Sequence, residues 1–258
     1  MDRNQFYLST IDPQAQTLAR SHGLGLEIAE YCTAWNLEEH FGETDALVQS
    51  KLEGISRRVL HGPYNELFPC AIDPRARELA RLRYRQALDA AERYHADKVV
   101  IHGGYNPWLY YPVWYKEQSV VFWREFIREI PEGITVCLEN VLEEEPDMLL
   151  TILKGVDSPK LGLCLDVGHV NAYSRVPVLT WLERCAPYIR HFHIHNNSGG
   201  ADTHNGLTEG TIPMETLLRA AGQLCRDATV TLELPDGEAS VNWLEEFIYT
   251  EESIWKRN

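Results

Sequence analysis

The most informative stretch of the sequence reads Ile134-Thr135-Val136-Cys137-Leu138-Glu139-Asn140. Alternate residues of a β-strand point to opposite faces, so Glu139 shares a face with Cys137, whereas the apolar Val136 lies on the other face. The segments Leu161–Asp166 and Thr229–Leu234 repeat this alternation and also carry an acidic residue near their C-terminal ends. A small or polar face suits the crowded interior of a barrel, and a branched apolar face suits a wall that helices cover.

Eight runs of this kind recur along the chain, and they start about 32 residues apart, which is the length of one βα unit. The predicted strands are Phe6–Ser9, Leu24–Ile28, Arg57–Gly62, Lys98–His102, Ile134–Asn140, Leu161–Asp166, Ile189–His195 and Thr229–Leu234. The segments between them have helical spacing, as in Ala76–Tyr94 and in Pro213–Leu224, for which Thr211 is the predicted cap.

Strands that alternate with helices favour a parallel sheet, and eight such units favour a sheet that closes. We therefore predict an α/β protein with a (β/α)8 TIM barrel as a single domain over residues 1–258. An open, doubly wound sheet is the alternative. It would need a glycine-rich phosphate turn after the first strand, and the segment Ser9–Pro13 is not one.

Composition and charge limit the class of protein. The chain has 258 residues, of which 44% are hydrophobic and 24% charged, as in ordinary globular domains. A net charge of −14 disfavours nucleic-acid partners and anionic membranes. With no apolar leader and no run of 18 apolar residues, neither secretion nor a membrane span is expected. The absence of a C-x-x-C pair predicts reduced, mostly buried thiols of a cytoplasmic protein for Cys32, Cys70, Cys137, Cys164, Cys185 and Cys225.

Seven of the eight predicted strands end in an ionisable residue: Glu27, His61, His102, Glu139, Asp166, His193 and Glu233. The C-terminal ends of the strands of a barrel meet at one rim, where active sites lie. Carboxylates crowded at one rim repel each other unless a cation is bound. Mixed imidazole and carboxylate donors suit Zn²⁺, Mn²⁺, Fe²⁺ or Co²⁺ better than Ca²⁺, so the sequence predicts a divalent-metal site.

Two further groups extend this set. In Leu165-Asp166-Val167-Gly168-His169, a histidine follows the strand-terminal Asp166 by three residues, and the loop after the seventh strand contains Asp202 and His204. His195 faces the same way as His193 and could replace it as the ligand from this strand, although we rank His193 first. His191 points inward at mid-barrel and is predicted to be a hydrogen-bonded core residue.

These motifs resemble the xylose isomerase-like barrel superfamily, which groups sugar isomerases and epimerases with endonuclease IV-type AP endonucleases. The resemblance extends from Gly25 to Glu233. For the epimerases it implies one divalent metal, with both glutamates also serving as acid and base, on residues that match Glu139, Asp166, His193 and Glu233. For the endonucleases it implies a site of up to three zinc ions that adds residues matching His61, His102, His169, Asp202 and His204.

The loops around the rim favour a carbohydrate over DNA. The segment Ala29–Ser50 has five acidic residues and no lysine or arginine, and His191–Leu218 also has no basic residue of these types. Six aromatic residues within Tyr105–Tyr115 could form a wall against a sugar, or a lid packed on itself, or a subunit contact in a homo-oligomer. The predicted substrate contacts are Glu27, Trp35, Tyr64, Tyr105, Trp108, His169 and His195.

The sequence therefore predicts an isomerase or epimerase of a sugar, polyol or sugar phosphate that uses Zn²⁺ or Mn²⁺, with Glu139 and Glu233 as catalytic residues. The alternative is an endonuclease IV-like phosphodiesterase, for which Tyr64 would match a DNA-probing loop. Related lyase or hydrolase chemistry and non-catalytic sugar binding also stay open. The substrate-binding arginine that ketose epimerases carry after the histidine of the seventh strand is absent here.

Overall fold

Eight parallel strands pair in chain order, and β8 pairs with β1, in the computed structural model, which describes residues 1–255 and side chains up to residue 250. The strands are β1 (Phe6–Ser9), β2 (Gly25–Ile28), β3 (Arg58–His61), β4 (Lys98–His102), β5 (Thr135–Glu139), β6 (Leu161–Asp166), β7 (Ile189–Ile194) and β8 (Thr229–Leu232). The predicted (β/α)8 barrel is confirmed, and the strand ends differ from the prediction by at most two residues. The predicted domain also includes residues 256–258, which lie outside the described residues.

Helices follow the strands and cover the outside of the barrel. They are α1 (Ala15–His22), α2 (Ala34–Leu37), α3 (Phe41–Leu52), α4 (Pro74–Tyr94), α5 (Pro112–Phe126), α6 (Asp147–Val156), α7 (Val167–Tyr173), α8 (Val178–Cys185), α9 (Met214–Leu224) and α10 (Glu238–Trp255). Helix α4 begins two residues earlier than predicted because the Asp73 side chain accepts a hydrogen bond from the Arg75 amide and Pro74 occupies the first turn.

The predicted cap of α9 is wrong. Pro213 occupies the N-cap position and makes no side-chain cap bond. Thr211 is instead used in the preceding loop, where its amide donates to the Asn197 carbonyl over 2.9 Å. A hydroxyl residue three positions before the helix therefore bonds within the preceding loop, and the helix begins without it.

The inward and outward faces of the strands form two separate apolar clusters. The inward cluster consists of Tyr7, Val59, Val100, Cys137 and Cys164. The outward faces, Val136 and Leu138 among them, join the large core under the helices. Full burial of a side chain such as Leu138 contributes about 1.5–3 kcal/mol. The alternation predicted for β5 and β6 is confirmed.

Two predictions from composition can be compared with the structure. The six cysteines are free thiols, and five of them are buried. Within residues 1–255, no helix combines the length and the apolar composition that a membrane crossing requires.

Candidate functional site

Four predicted ligands converge at the C-terminal end of the barrel. The Nδ1 atom of His193 lies 3.3 Å from Glu139 Oε1 and 3.2 Å from Glu233 Oε2. Its distance to Asp166 Oδ2 is 3.9 Å. Two donors that are each about 2.1 Å from a tetrahedral Zn²⁺ lie about 3.4 Å apart. Among the described residues, neither His193 Nδ1 nor Glu139 Oε2 has a hydrogen-bond partner although both atoms are buried, so the donor set fits a divalent cation.

Glu27 orients the imidazole of His193. His193 Nε2 lies 2.9 Å from Glu27 Oε1, which leaves Nδ1 to face the other carboxylates. The second oxygen of Glu27 accepts hydrogen bonds from Thr231 and His191. Metal-binding histidines commonly donate their other ring N–H to a carboxylate in this way. Glu27 is thus buried beneath the cavity, which corrects its predicted role as a substrate contact, and His191 is the hydrogen-bonded core residue that was predicted.

Asn140 holds the ends of β5 and β6 together. Its side chain donates to the Asp166 carbonyl and accepts from the Asp166 amide, both over 2.9 Å. Asp166 Oδ1 in turn caps α7 by accepting a 2.6 Å hydrogen bond from the His169 amide. Sequence reasoning did not single out Asn140 as a site residue, although its position directly after Glu139 at a strand end was a signal.

A second group of donors consists of His61, His102 and Glu139. The Nε2 atoms of His61 and His102 lie 3.3 and 3.4 Å from Glu139 Oε2. His61 Nδ1 lies 2.9 Å from the Gly62 carbonyl, to which it donates. The Nε2 atom of His61 therefore keeps its lone pair, and the group could hold a cation.

A third group consists of His169, Asp202 and His204. The Nε2 atoms of the two histidines lie 3.2 and 3.0 Å from Asp202 Oδ2. Their Nδ1 atoms donate to the carbonyls of Asn140 and Glu233 over 2.9 and 2.8 Å. As in the second group, the Nε2 atoms of two imidazoles lie close to one carboxylate oxygen.

These groups surround one cavity of about 420 Å³. Tyr64 lies on its wall, with its ring stacked on His102 at a centroid distance of 4.2 Å. The residues that line the cavity are Ile11, Ala29, Cys32, His61, Tyr64, His102, Glu139, His169, Asp202, His204, Glu233 and Pro235. Asp166 and His193 are fully buried next to it.

Three of the predicted aromatic contacts do not line this cavity. Trp35 and Trp108 are 68% and 82% exposed at the protein surface. Tyr105 is buried against the Tyr115 ring, at a centroid distance of 5.0 Å. Of the predicted aromatic contacts, the structure brings Tyr64 to the cavity, while part of the loop after β4, which was expected to form a wall, packs on its own aromatic rings.

His195 is also buried outside the lining of the cavity. Its Nε2 atom lies 3.3 Å from Asp166 Oδ2, and its ring stacks on His204 at 3.9 Å. The ring presses on α7 so closely that a Cβ atom at Gly168 would lie 1.8 Å from it, which explains the glycine. His193, and not His195, faces both Glu139 and Glu233, as the ranking of the two histidines predicted.

The electrostatics of the two glutamates favour their ionised forms. Burial alone would raise the pKa of Glu139, but the surrounding imidazoles, among them His102 and His193, lower it well below its usual range. Burial also raises the pKa of Glu233, and the neighbouring His193 imidazole brings the net value below the ordinary one. A bound cation would favour the same ionised state.

Cys32 lines the cavity and was not predicted from the sequence as a site residue. It lies four residues after the end of β2, in a short 3-10 turn formed by Glu30–Cys32. Its position in a loop that leaves the C-terminal end of a strand was the available signal, because such loops build the active sites of barrels.

The chain is similar to several known proteins. The model of the family described as "xylose isomerase-like TIM barrel" matches residues 19–255. The uncharacterized protein MJ1311 of Methanocaldococcus jannaschii is 31% identical over 207 residues, which cover 74% of this chain and 69% of that protein.

Solved structures repeat the fold over nearly the whole chain. A D-tagatose 3-epimerase-like protein superposes with a TM-score of 0.80 at 24% identity, covering 97% of this chain and 99% of its own. The TTHB071 protein from Thermus thermophilus, soaked with ZnCl₂, superposes with a TM-score of 0.78 at 27% identity, covering 94% and 97%.

Proposed function

This chain belongs to the xylose isomerase-like TIM barrel family, and we propose that it is a divalent-metal-dependent isomerase or epimerase of a sugar or polyol. The observation that carries the proposal is the convergence of four donors, three of them buried, of which His193 Nδ1 has no hydrogen-bond partner among the described residues. The D-tagatose 3-epimerase-like relative supports the same reaction class.

The side chains of the cavity have distinct tasks in this reaction. Glu139, Asp166, His193 and Glu233 would hold the cation. When bound, a divalent cation polarises a carbonyl or hydroxyl oxygen of the substrate. The carboxylates of Glu139 and Glu233 remove a proton from the neighbouring carbon and return it, and both residues line the cavity.

The lining of the cavity favours an uncharged substrate. Among the described residues that line it, none is a lysine or an arginine, so no fixed positive side chain would pair with a phosphate. The ring of Tyr64 offers an apolar surface of the kind on which the C–H face of a sugar packs. These two features support a free sugar or polyol more strongly than a sugar phosphate.

Replacement of Glu233 by glutamine tests this proposal. The amide occupies nearly the same volume but cannot accept the proton, so exchange of the substrate C–H with solvent deuterium should fall by at least about 100-fold. The measurement is NMR in D₂O with a panel of aldoses and ketoses that includes D-tagatose, together with the metal content of the variant. Glu39, an exposed carboxylate of the same rim, provides the control Glu39→Gln. Unchanged exchange in Glu233→Gln would refute the assignment.

The two further donor groups favour a second candidate, a phosphodiesterase with up to three zinc ions. Each group places two imidazole nitrogens close to one carboxylate oxygen, which gives three donors of the kind that a further cation would need. Incision of a DNA duplex with an abasic site at low salt and with Zn²⁺ supplied would support this candidate. Sugar turnover without incision would eliminate it.

A further inference from the structure

Cys32 differs from the other cysteines in its position and its exposure. Five of the six thiols are buried, whereas Cys32 is partly exposed on the wall of the cavity. Its side chain lies next to the His61 imidazole on this wall. Its carbonyl accepts a 3.3 Å hydrogen bond from the Tyr64 amide, so the loops after β2 and β3 are joined at this residue. Backbone contacts therefore hold the thiol beside the second donor group.

The second donor group provides an independent observation. Glu139 Oε2 is buried and has no hydrogen-bond partner in the part of the chain that the structure describes, and it faces the Nε2 atoms of His61 and His102 at 3.3 and 3.4 Å. The other carboxylate oxygen faces His193, so one glutamate can serve two cations. Two imidazole nitrogens and one carboxylate oxygen make up three of the four donors of a tetrahedral zinc site.

We propose that the Cys32 thiolate is the fourth donor, which completes a closed site of two histidines, one glutamate and one cysteine. This inference rests on the proposed function in one respect, namely that the cavity binds divalent cations. Binding of the ion forms a metal–sulfur bond and releases the thiol proton to solvent, and no oxidation state changes.

A thiolate donor has two consequences for the cavity. Soft sulfur favours Zn²⁺ or Cd²⁺ over Mn²⁺ and Mg²⁺, so this position selects for zinc. A site with four protein donors has no open position for water or substrate, as in structural zinc sites. The cation beside Cys32 therefore stabilises the loops after β2 and β3, and it takes no direct part in the proton transfer by Glu139 and Glu233.

A titration of the metal-stripped protein with Cd²⁺ tests the proposal. Binding should produce a sulfur-to-cadmium charge-transfer absorption in the ultraviolet with the intensity of a single thiolate. The band should disappear in Cys32→Ser. The matched control is Cys164→Ser, because Cys164 is a second thiol close to a donor of the site, His193, and this variant should keep the band. A band that survives in Cys32→Ser, or that is lost in Cys164→Ser, would overturn the assignment.

Alkylation of the wild-type protein provides a test that needs no variant. Iodoacetamide should modify Cys32 in the stripped protein, and Zn²⁺ should slow this modification by about 10-fold or more while Mg²⁺ has no effect. Peptide mass spectrometry identifies the modified residue. Equal labelling of Cys32 with and without Zn²⁺ contradicts the proposal.

The outcomes separate this inference from the proposed function. Cadmium binding without a thiolate band, together with Glu233-dependent exchange of the sugar proton, overturns the role of Cys32 and leaves the isomerase intact. Zinc protection of Cys32 without any sugar exchange supports the thiolate and refutes the isomerase.

Discussion

The inward faces of the strands form two layers that differ by two residues along the chain and by their chemistry. In the lower layer lie Val59, Val100, Cys137 and Cys164, which pack against each other. In the upper layer, two residues further along the same strands, lie His61, His102, Glu139 and Asp166. The lower layer stabilises the barrel by apolar burial, whereas the upper layer concentrates charges whose repulsion a cation would relieve. One strand can therefore serve both the fold and the site because its side chains alternate.

A carboxylate placed in the lower layer should produce the largest effect. Val100→Asp introduces a carboxylate among the apolar side chains of this layer, and we expect a loss of about 3–5 kcal/mol in the free energy of unfolding. The matched variant is His102→Asp, two residues further along β4. In the presence of Zn²⁺ it should cost about 1 kcal/mol or less, since the new carboxylate can bind the cation. Urea unfolding measures the stability of both variants. Equal losses in the free energy of unfolding would mean that the two layers tolerate a carboxylate equally.

Removal of the cation should destabilise the protein through the upper layer. At a free Zn²⁺ concentration about 100-fold above its Kd, bound ion stabilises the folded state by about 2.7 kcal/mol. For a chain of this size, stripping should therefore lower Tm by about 5–11 °C. Calorimetry before stripping, after stripping and after addition of Zn²⁺ checks this. A Tm that is the same in all three states would speak against a cation in the upper layer.

Glu27→Gln should lower the metal affinity of the site without removing a contact to the substrate. Glu27 contacts His193 from below, and loss of such a partner typically lowers metal affinity about 10–100-fold. Competition with a chelating dye measures the affinity, and Glu39→Gln should leave it unchanged. If Glu27→Gln instead kept its zinc affinity and lost sugar binding, Glu27 would be the substrate contact that the sequence predicted.

Trp108→Ala should have the smallest effect. This side chain is exposed and does not line the cavity, so kcat/KM should stay within about 2-fold of the wild type. Tyr64→Ala, which removes a ring from the cavity wall, should raise KM clearly. Steady-state kinetics of both variants, with the sugar identified by the exchange experiment, measures these effects. Equal increases in KM would indicate that the loop after β4 also contacts the substrate.

The sequence predicted the barrel and the convergence of the candidate ligands well because both follow from alternation within strands. It placed Glu27 wrongly for a physical reason. The depth of a side chain in a barrel depends on the stagger between strands, which no single strand reveals. Glu27 pairs with Val59 and is therefore level with the lower layer, whereas Glu139 pairs with His102.

The roles of residues in loops were harder to predict because loops have no sequence periodicity that fixes the direction of their side chains. Trp108 and Cys32 both follow strands of the barrel, yet the first points to solvent and the second lines the cavity. The family resemblance pointed to the candidate ligands, which occur in motifs at strand ends. It carried no information about a thiol in the loop after β2.

The most direct test of the proposed metal site is anomalous scattering at the zinc absorption edge from crystals of zinc-loaded protein. We expect a peak between Glu139, Asp166, His193 and Glu233, with all four donors within about 2.0–2.2 Å of it. Density without a peak among these four residues, in crystals whose protein contains zinc, would contradict a cation at the centre of the site.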